Sequence, residues 1–139
     1  LKGTLRLMNM DLVDEAVGKI EGILKGITGI YGGSYQFDFV KGYPVLLNDR
    51  AFTQFVSGVV KDFFGDEHAV ELEQPLMGGE DFAYYLDKVP GAFVRLGTGN
   101  RGKKTTFPWH HSRFNIDEDA LPYGTALFVK CSVEYLKNS

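Results

Sequence analysis

The residues best suited to chemistry lie together in one stretch, Phe107-Pro108-Trp109-His110-His111-Ser112-Arg113-Phe114. Two adjacent imidazoles stand beside the chain's single tryptophan, and an acidic run, Asp117-Glu118-Asp119, follows closely. Neutral imidazole is a common zinc ligand and titrates near neutral pH, so a loop histidine of this kind suits metal binding or acid–base work. A hydrolytic zinc centre needs about three protein ligands, so His110 and His111 cannot be the whole of one. On spacing alone, a polar surface loop remains the plainer reading of the pair.

Two other stretches carry candidate groups. Gly78-Gly79 directly precedes Glu80-Asp81-Phe82, where a helix start is expected. Glycine lets a ligand approach the backbone, and free N–H groups at a helix start favour an anion. The competing reading is a tight turn in which Glu80 and Asp81 complement the helix dipole, and neither carboxylate is given a catalytic role. Arg6, in Gly3-Thr4-Leu5-Arg6, is either a solvated edge residue or a carboxylate clamp, because guanidinium binds carboxylates bidentately. His68, in a charged turn, reads as surface. There is no Gly-x-Ser-x-Gly elbow, phosphate loop with lysine, or cysteine–histidine signature.

The elements that must position these groups alternate. Residues 1–8 read as a short strand. Asp11 is the expected N-cap of a helix whose apolar stripe runs through Val13, Val17, Ile20, Leu24, Ile27 and Tyr31. Gly18, Gly22, Gly26 and Gly29 weaken that helix by about 1 kcal/mol each relative to alanine, and they open one face to close approach. Gly32-Gly33 ends it, and 34–40 alternates as a strand. Lys41-Gly42-Tyr43-Pro44 is the candidate domain boundary. Asn48 and Asp49 offer caps for a helix carrying Phe52, Phe55, Val56, Val59, Val60 and Phe63, stopped by Gly65. An edge strand at 69–72, a helix over 80–88, a strand at 92–96 and a flexible loop at 97–104 follow. Asp117 is the expected cap of the last helix, whose regular part begins near Pro122. The order gives an α/β class.

Composition narrows the classes. At 139 residues with 44% hydrophobic and 24% charged residues, the chain has the make-up of an ordinary globular domain. A net charge of −3 gives no nucleic-acid footprint. No apolar run reaches membrane-spanning length and no signal-peptide pattern opens the chain, so no membrane partner and a cytoplasmic location are expected. The single cysteine, Cys131, forms no internal disulfide and falls in a helical apolar pattern. Because Leu1 leads directly into a strand pattern, the chain is expected to be a piece of a longer protein.

Taken in order, Gly3-Thr4-Leu5-Arg6, Gly42-Tyr43-Pro44 with Asn48-Asp49, Met77-Gly78-Gly79-Glu80-Asp81-Phe82-Ala83, Val89-Pro90-Gly91-Ala92-Phe93, Leu96-Gly97-Thr98-Gly99-Asn100 and the stretch from His110 to Gly124 resemble one family. It is the metal-dependent amidohydrolase and peptidase family of aminoacylase, hippurate hydrolase and the plant hydrolases of indoleacetyl–amino acid conjugates. The resemblance implies that residues 1–42 are the second half of an α+β lid or dimerisation domain. It implies that 43–139 are the C-terminal part of a zinc-peptidase-like catalytic domain. It further implies cleavage of the amide bond of N-acyl amino acids or small peptides, divalent metal ions (zinc or manganese), a glutamate base and a homodimer.

By the same resemblance, the metal-ligand histidine falls on His110, and His111 takes the place of its more variable neighbour. Arg6 matches an arginine that holds the substrate carboxylate, and Gly78 and Gly79 match a loop bordering the substrate site. The family often has proline where this chain has Ser112. Its other ligands and its catalytic glutamate have no counterpart in these residues. No catalytic residue is therefore assigned here, and the chain alone is expected to be inactive. The alternatives are a non-catalytic dimerisation or interaction module, and an anion-binding module built on Arg6 and the Gly78-Gly79 loop.

Overall fold

The computed structural model describes residues 1–137, and its regular structure is helical. Helix α1 (Val13–Ile30) follows the expected apolar stripe, and its entry corrects the expected cap. Asn9, rather than Asp11, caps the preceding 3-10 turn Met10–Leu12 by accepting from the Asp11 N–H at 2.9 Å. At the other end Gly32, with φ at +63°, takes the left-handed turn, and the Gly33 N–H donates back to the Thr28 carbonyl at 2.8 Å. A Cβ added at Gly18, Gly22, Gly26 or Gly29 would meet nothing within 4 Å. The close approach expected on that face does not occur among the described residues.

Helix α2 (Arg50–Phe64) forms as its sequence dictates. The Asp49 carboxylate accepts from the Phe52 N–H at 2.7 Å, and Gly65, with φ at +109°, stops it. Helix α3 (Ala83–Leu86) is a single turn, shorter than the 80–88 expected. The bonds leading into it run over three residues, Ala83 N–H to the Glu80 carbonyl and Tyr84 N–H to the Asp81 carbonyl, and so build turns rather than an α-helix. Helix α4 (Leu121–Lys137) follows a 3-10 turn at Glu118–Ala120 that Asp117 caps through the Asp119 N–H. Pro122 sits in its first turn, where its missing N–H costs no helical bond.

The expected strands at 1–8, 34–40, 69–72 and 92–96 are irregular segments without ladder partners among the described residues. Of the expected α/β class, only the helical half is present in them. Alternating apolar residues specify which face a strand buries, but a strand exists only when a second one satisfies its backbone groups. Several of the side chains that such a sheet would cover, Leu5, Phe39, Val94 and Leu96 among them, are exposed.

The chain divides into two compact units. The first comprises Leu1–Asn48 and Leu72–Pro90, and Val13 and Ala83 are its buried apolar side chains. The second comprises Asp49–Glu71 and the described residues from Gly91 onward. In it α2 and α4 pack antiparallel, as their aromatic contacts show: Phe64 meets Tyr123 at 5.7 Å, while Phe52 meets Tyr135 at 6.0 Å. Val56 and Val59 are buried along the α2 side of this pair. Gly124 lets the 91–96 segment close on α4, since a Cβ there would lie 3.2 Å from Leu96 Cδ2. Cys131 on α4 is partly buried, and burial pushes its thiol pKa up, which suits an inert packing role. Among the described residues, no helix is long and apolar enough to cross a membrane.

Candidate functional site

In the first unit, Arg6 and the Gly78-Gly79 loop come together. A Cβ built on Gly79 would lie 3.3 Å from Tyr43 Cδ2, close enough to press on that ring, and 3.6 Å from Arg6 Nη1, in ordinary contact. Gly78, by contrast, is open. Tyr43 is held in turn by Tyr84 of α3, edge-on at a centroid distance of 5.8 Å. The resulting feature is an exposed guanidinium over bare backbone beside an aromatic wall, chemistry that suits a carboxylate with an attached apolar group. With only four residues, α3 offers a negligible dipole, and the positive charge of this feature rests on Arg6. In sequence Tyr43 belongs to the boundary segment and to one of the stretches that carry the family resemblance; its place beside Gly79 depends on a turn that composition does not encode.

In the second unit, His110 and His111 follow one another in the chain and are treated differently by the fold. The His111 ring stacks on Phe107, with centroids 4.7 Å apart and planes 13° from parallel. The Arg113 guanidinium lies over Phe107 at 4.2 Å. The Arg113 N–H donates to His111 Nδ1 at 3.0 Å, so this hydrogen bond puts the ring proton of neutral His111 on Nε2. An imidazole arranged in this way has spent its Nδ1 lone pair inside the loop. Two backbone bonds, His111 N–H to the Pro108 carbonyl at 3.1 Å and Phe114 N–H to the His111 carbonyl at 2.9 Å, close the turns around it.

His110 is exposed, and its φ of +65° is one of only two positive values at non-glycine residues among those described. That conformation is costly for a residue with a Cβ and persists where the surroundings over-determine it, a pattern frequent at functional sites. Next to it, Trp109 is covered on one face by the Arg95 guanidinium, 4.4 Å from the ring centroid. His68 is exposed at the surface, as its charged surroundings suggest.

The glycine-rich stretch 97–104, expected to be flexible, is instead held by a polar network that sequence reading missed. Asn100 Oδ1 accepts from the Gly102 and Lys103 N–H groups at 2.9 and 3.2 Å, while its Nδ2 donates to Asp117 Oδ2 at 2.6 Å. The Thr105 hydroxyl, in a residue only 6% exposed, accepts from the Asn100 N–H at 2.9 Å and donates to the Thr98 carbonyl at 3.2 Å. Lys103 Nζ bonds Asp117 Oδ1 at 2.6 Å and also Asp119. The Asp117 side chain is only 12% exposed. The Lys103 ammonium, and after it the Asn100 amide, hold its carboxyl below the usual carboxylate range. The bonds to Asp117 and then Asp119 raise the Lys103 pKa in return. An asparagine two residues before a glycine was the available signal, since such side chains fold back on their own backbone.

Among the described residues, no group of three or more His, Cys, Asp or Glu side chains is gathered to hold a metal ion. His110 is a fitting single donor, but the donors present do not make a complete site for the divalent metal that the resemblance implies.

Comparison with known proteins gives these features a context. The chain is 31% identical over 138 residues to a Synechocystis protein described as a probable hydrolase, covering 99% of this chain and 35% of that protein. It is 31% identical over 138 residues to an IAA-amino acid hydrolase of Arabidopsis thaliana, covering 96% of this chain and 31% of the relative. It is 31% identical over 137 residues to an N-acetylcysteine deacetylase of Bacillus subtilis, covering 99% and 34%. The chain thus spans about a third of the length of these relatives. No solved structure matches it. Residues 3–134 match the model of Peptidase family M20/M25/M40, and on that match the chain belongs to this family.

Proposed function

We propose that this chain is the C-terminal part of a metal-dependent amidohydrolase that cleaves the amide bond of N-acyl amino acids or small peptides. The observation that carries the reading is the family match over residues 3–134 in a chain spanning about a third of its relatives. Residues 1–42 are assigned to a lid or dimerisation domain and 43–139 to the catalytic domain. Within the complete domain, the segments 34–40, 69–72 and 92–96 pair as strands and supply the α/β layer. A cytoplasmic location goes with this reading.

Arg6 holds the free carboxylate of the substrate, and Gly78 and Gly79 border the same site. The place of Arg6 Nη1 over Gly79 supports that pairing. His110 donates to a divalent metal, zinc or manganese, whose other donors lie outside this chain; such an ion polarises a bound carbonyl. The internal hydrogen bond of His111 favours His110 for this role.

The test is an assay of the full-length gene product against a panel of N-acyl amino acids. The reading expects turnover that falls by at least about a hundredfold in the Arg6→Ala variant, with most of the loss in KM for substrates bearing a free carboxylate. Turnover unchanged by that substitution would contradict the clamp.

One observation favours assembly as an additional role. Ile23, Ile27 and Ile30 recur along α1 and are exposed at 60%, 54% and 79%, beside glycines whose Cβ positions are open. A homodimer through this stripe would cover them. Sedimentation should give a dimer that the Ile27→Glu variant converts to monomer, and a wild-type monomer would remove the proposal.

A further inference from the structure

We infer that Asn100 and Asp117 are positioning residues for His110, clamping the loop 106–116 at both ends; the inference rests on the reading of His110 as a metal donor. The loop leaves one anchored point and returns to another. Its first anchor is Thr105, whose backbone N–H donates to the Asn100 carbonyl at 3.0 Å and whose buried hydroxyl is shared between the Asn100 N–H and the Thr98 carbonyl. Its second is Asp117, whose N–H donates to the Thr98 carbonyl at 2.9 Å. The Asn100–Asp117 side-chain bond, at 2.6 Å, joins the two directly.

Behind the second anchor stands a rigid element, because Asp117 also caps the turn that leads into α4, and α4 packs against α2. The clamp therefore refers the loop to the helical pair of its own unit. Inside the loop, the Phe107–His111 stack, the Arg113 guanidinium over Phe107 and the Arg113 N–H bond to His111 tie these three residues to one another. With its ends fixed and those three residues tied together, the loop holds the exposed His110 in its left-handed backbone. Groups that orient a metal ligand from behind typically change metal affinity ten- to a hundredfold when lost.

Asn100→Asp is the discriminating variant. It keeps the oxygen that accepts from Gly102 and Lys103, so the turn survives, but sets a carboxylate against the Asp117 carboxylate. In the full chain, amide exchange at His111 and Phe114 should accelerate by at least about tenfold while amides of α2 stay unchanged. The backbone shifts of His110 that report its positive φ should move toward coil values. Thr105→Val, which removes the hydroxyl alone, should move the same amides in the same direction. Unchanged exchange in the loop, or equal acceleration in α2, overturns the inference.

A zinc titration of the full-length protein separates it from the reading beneath it. If His110→Ala abolishes zinc binding and Asn100→Asp weakens it about tenfold or more, both stand. If His110→Ala abolishes it and Asn100→Asp leaves it intact despite a loosened loop, the positioning role falls alone. If neither variant changes zinc binding, the donor role of His110 falls and takes the inference with it.

Discussion

The imidazole of His111 lies on the Phe107 ring at 4.7 Å and accepts the Arg113 N–H at Nδ1, contacts that set it apart from the neighbouring His110 although both are exposed. The geometry predicts neutral His111 as a single tautomer with its proton on Nε2. Two-bond nitrogen–proton spectra check this directly. His111 should show an unprotonated Nδ1 and a protonated Nε2, and equal populations of the two tautomers would show that the bond to Arg113 does not form.

Asp117 sets an acid limit on the loop. Its pKa is lowered by Lys103 first and Asn100 second, so its contribution to stability is full above its unfolded value and is lost as pH falls through the depressed folded value. The Lys103 pKa is raised, so its side of the pair persists through neutral pH and is lost only above the ordinary lysine range. Amide exchange at Asn100, Thr105 and Asp117 should therefore be flat across neutral pH, after correction for intrinsic rates. Protection should fall below the usual carboxylate range, and in Asp117→Asn that acid step should disappear.

The two kinds of glycine in the helices predict opposite responses. Gly22 lies within α1 with nothing within 4 Å of a Cβ, so Gly22→Ala should stabilise by roughly 0.5–1 kcal/mol. Gly65 ends α2 at a φ of +109°, and a Cβ there would meet Glu67 Oε2 at 2.7 Å. Gly65→Ala should cost at least about 1 kcal/mol, because moving the Glu67 side chain relieves the contact but not the backbone. Urea denaturation of both variants gives the signs.

Val59 is buried between α2 and α4, whereas Phe128 on α4 is exposed. Val59→Ala should cost about 2 kcal/mol through lost burial and the cavity left behind. Phe128→Ser should leave the stability of the chain within about 0.5 kcal/mol, since the side chain covers little in this structure. Thermal unfolding of the two variants would rank them; the reverse order would mean that the α2–α4 packing is not the core of its unit.

What could be read from sequence follows from how local each signal is. Helices α1 and α2, the Asp49 cap and the Gly65 stop depend on residues a turn apart and appear as expected, although Ile27 and Tyr31 of the first stripe and Phe63 of the second are exposed. Asp117 was legible as a helix cap, but its second bond, to Asn100, spans seventeen positions and has no local trace. The strands have no pairing among the described residues for the same reason at larger scale. Tyr35, Phe37 and Phe39 alternate as a strand should, yet pairing is a property of two segments, and no partner lies among the described residues. His110 and His111 were indistinguishable as residue types; Phe107 and Arg113 separate them only once the loop has turned back on itself.

The most direct measurement is the metal content of the full-length gene product and of its His110→Ala and His111→Ala variants, purified identically. Divalent metal is expected in the wild type, with its loss in His110→Ala and retention of most of it in His111→Ala. Metal retained in His110→Ala, or lost only in His111→Ala, would contradict the assignment of His110 as the donor this chain provides.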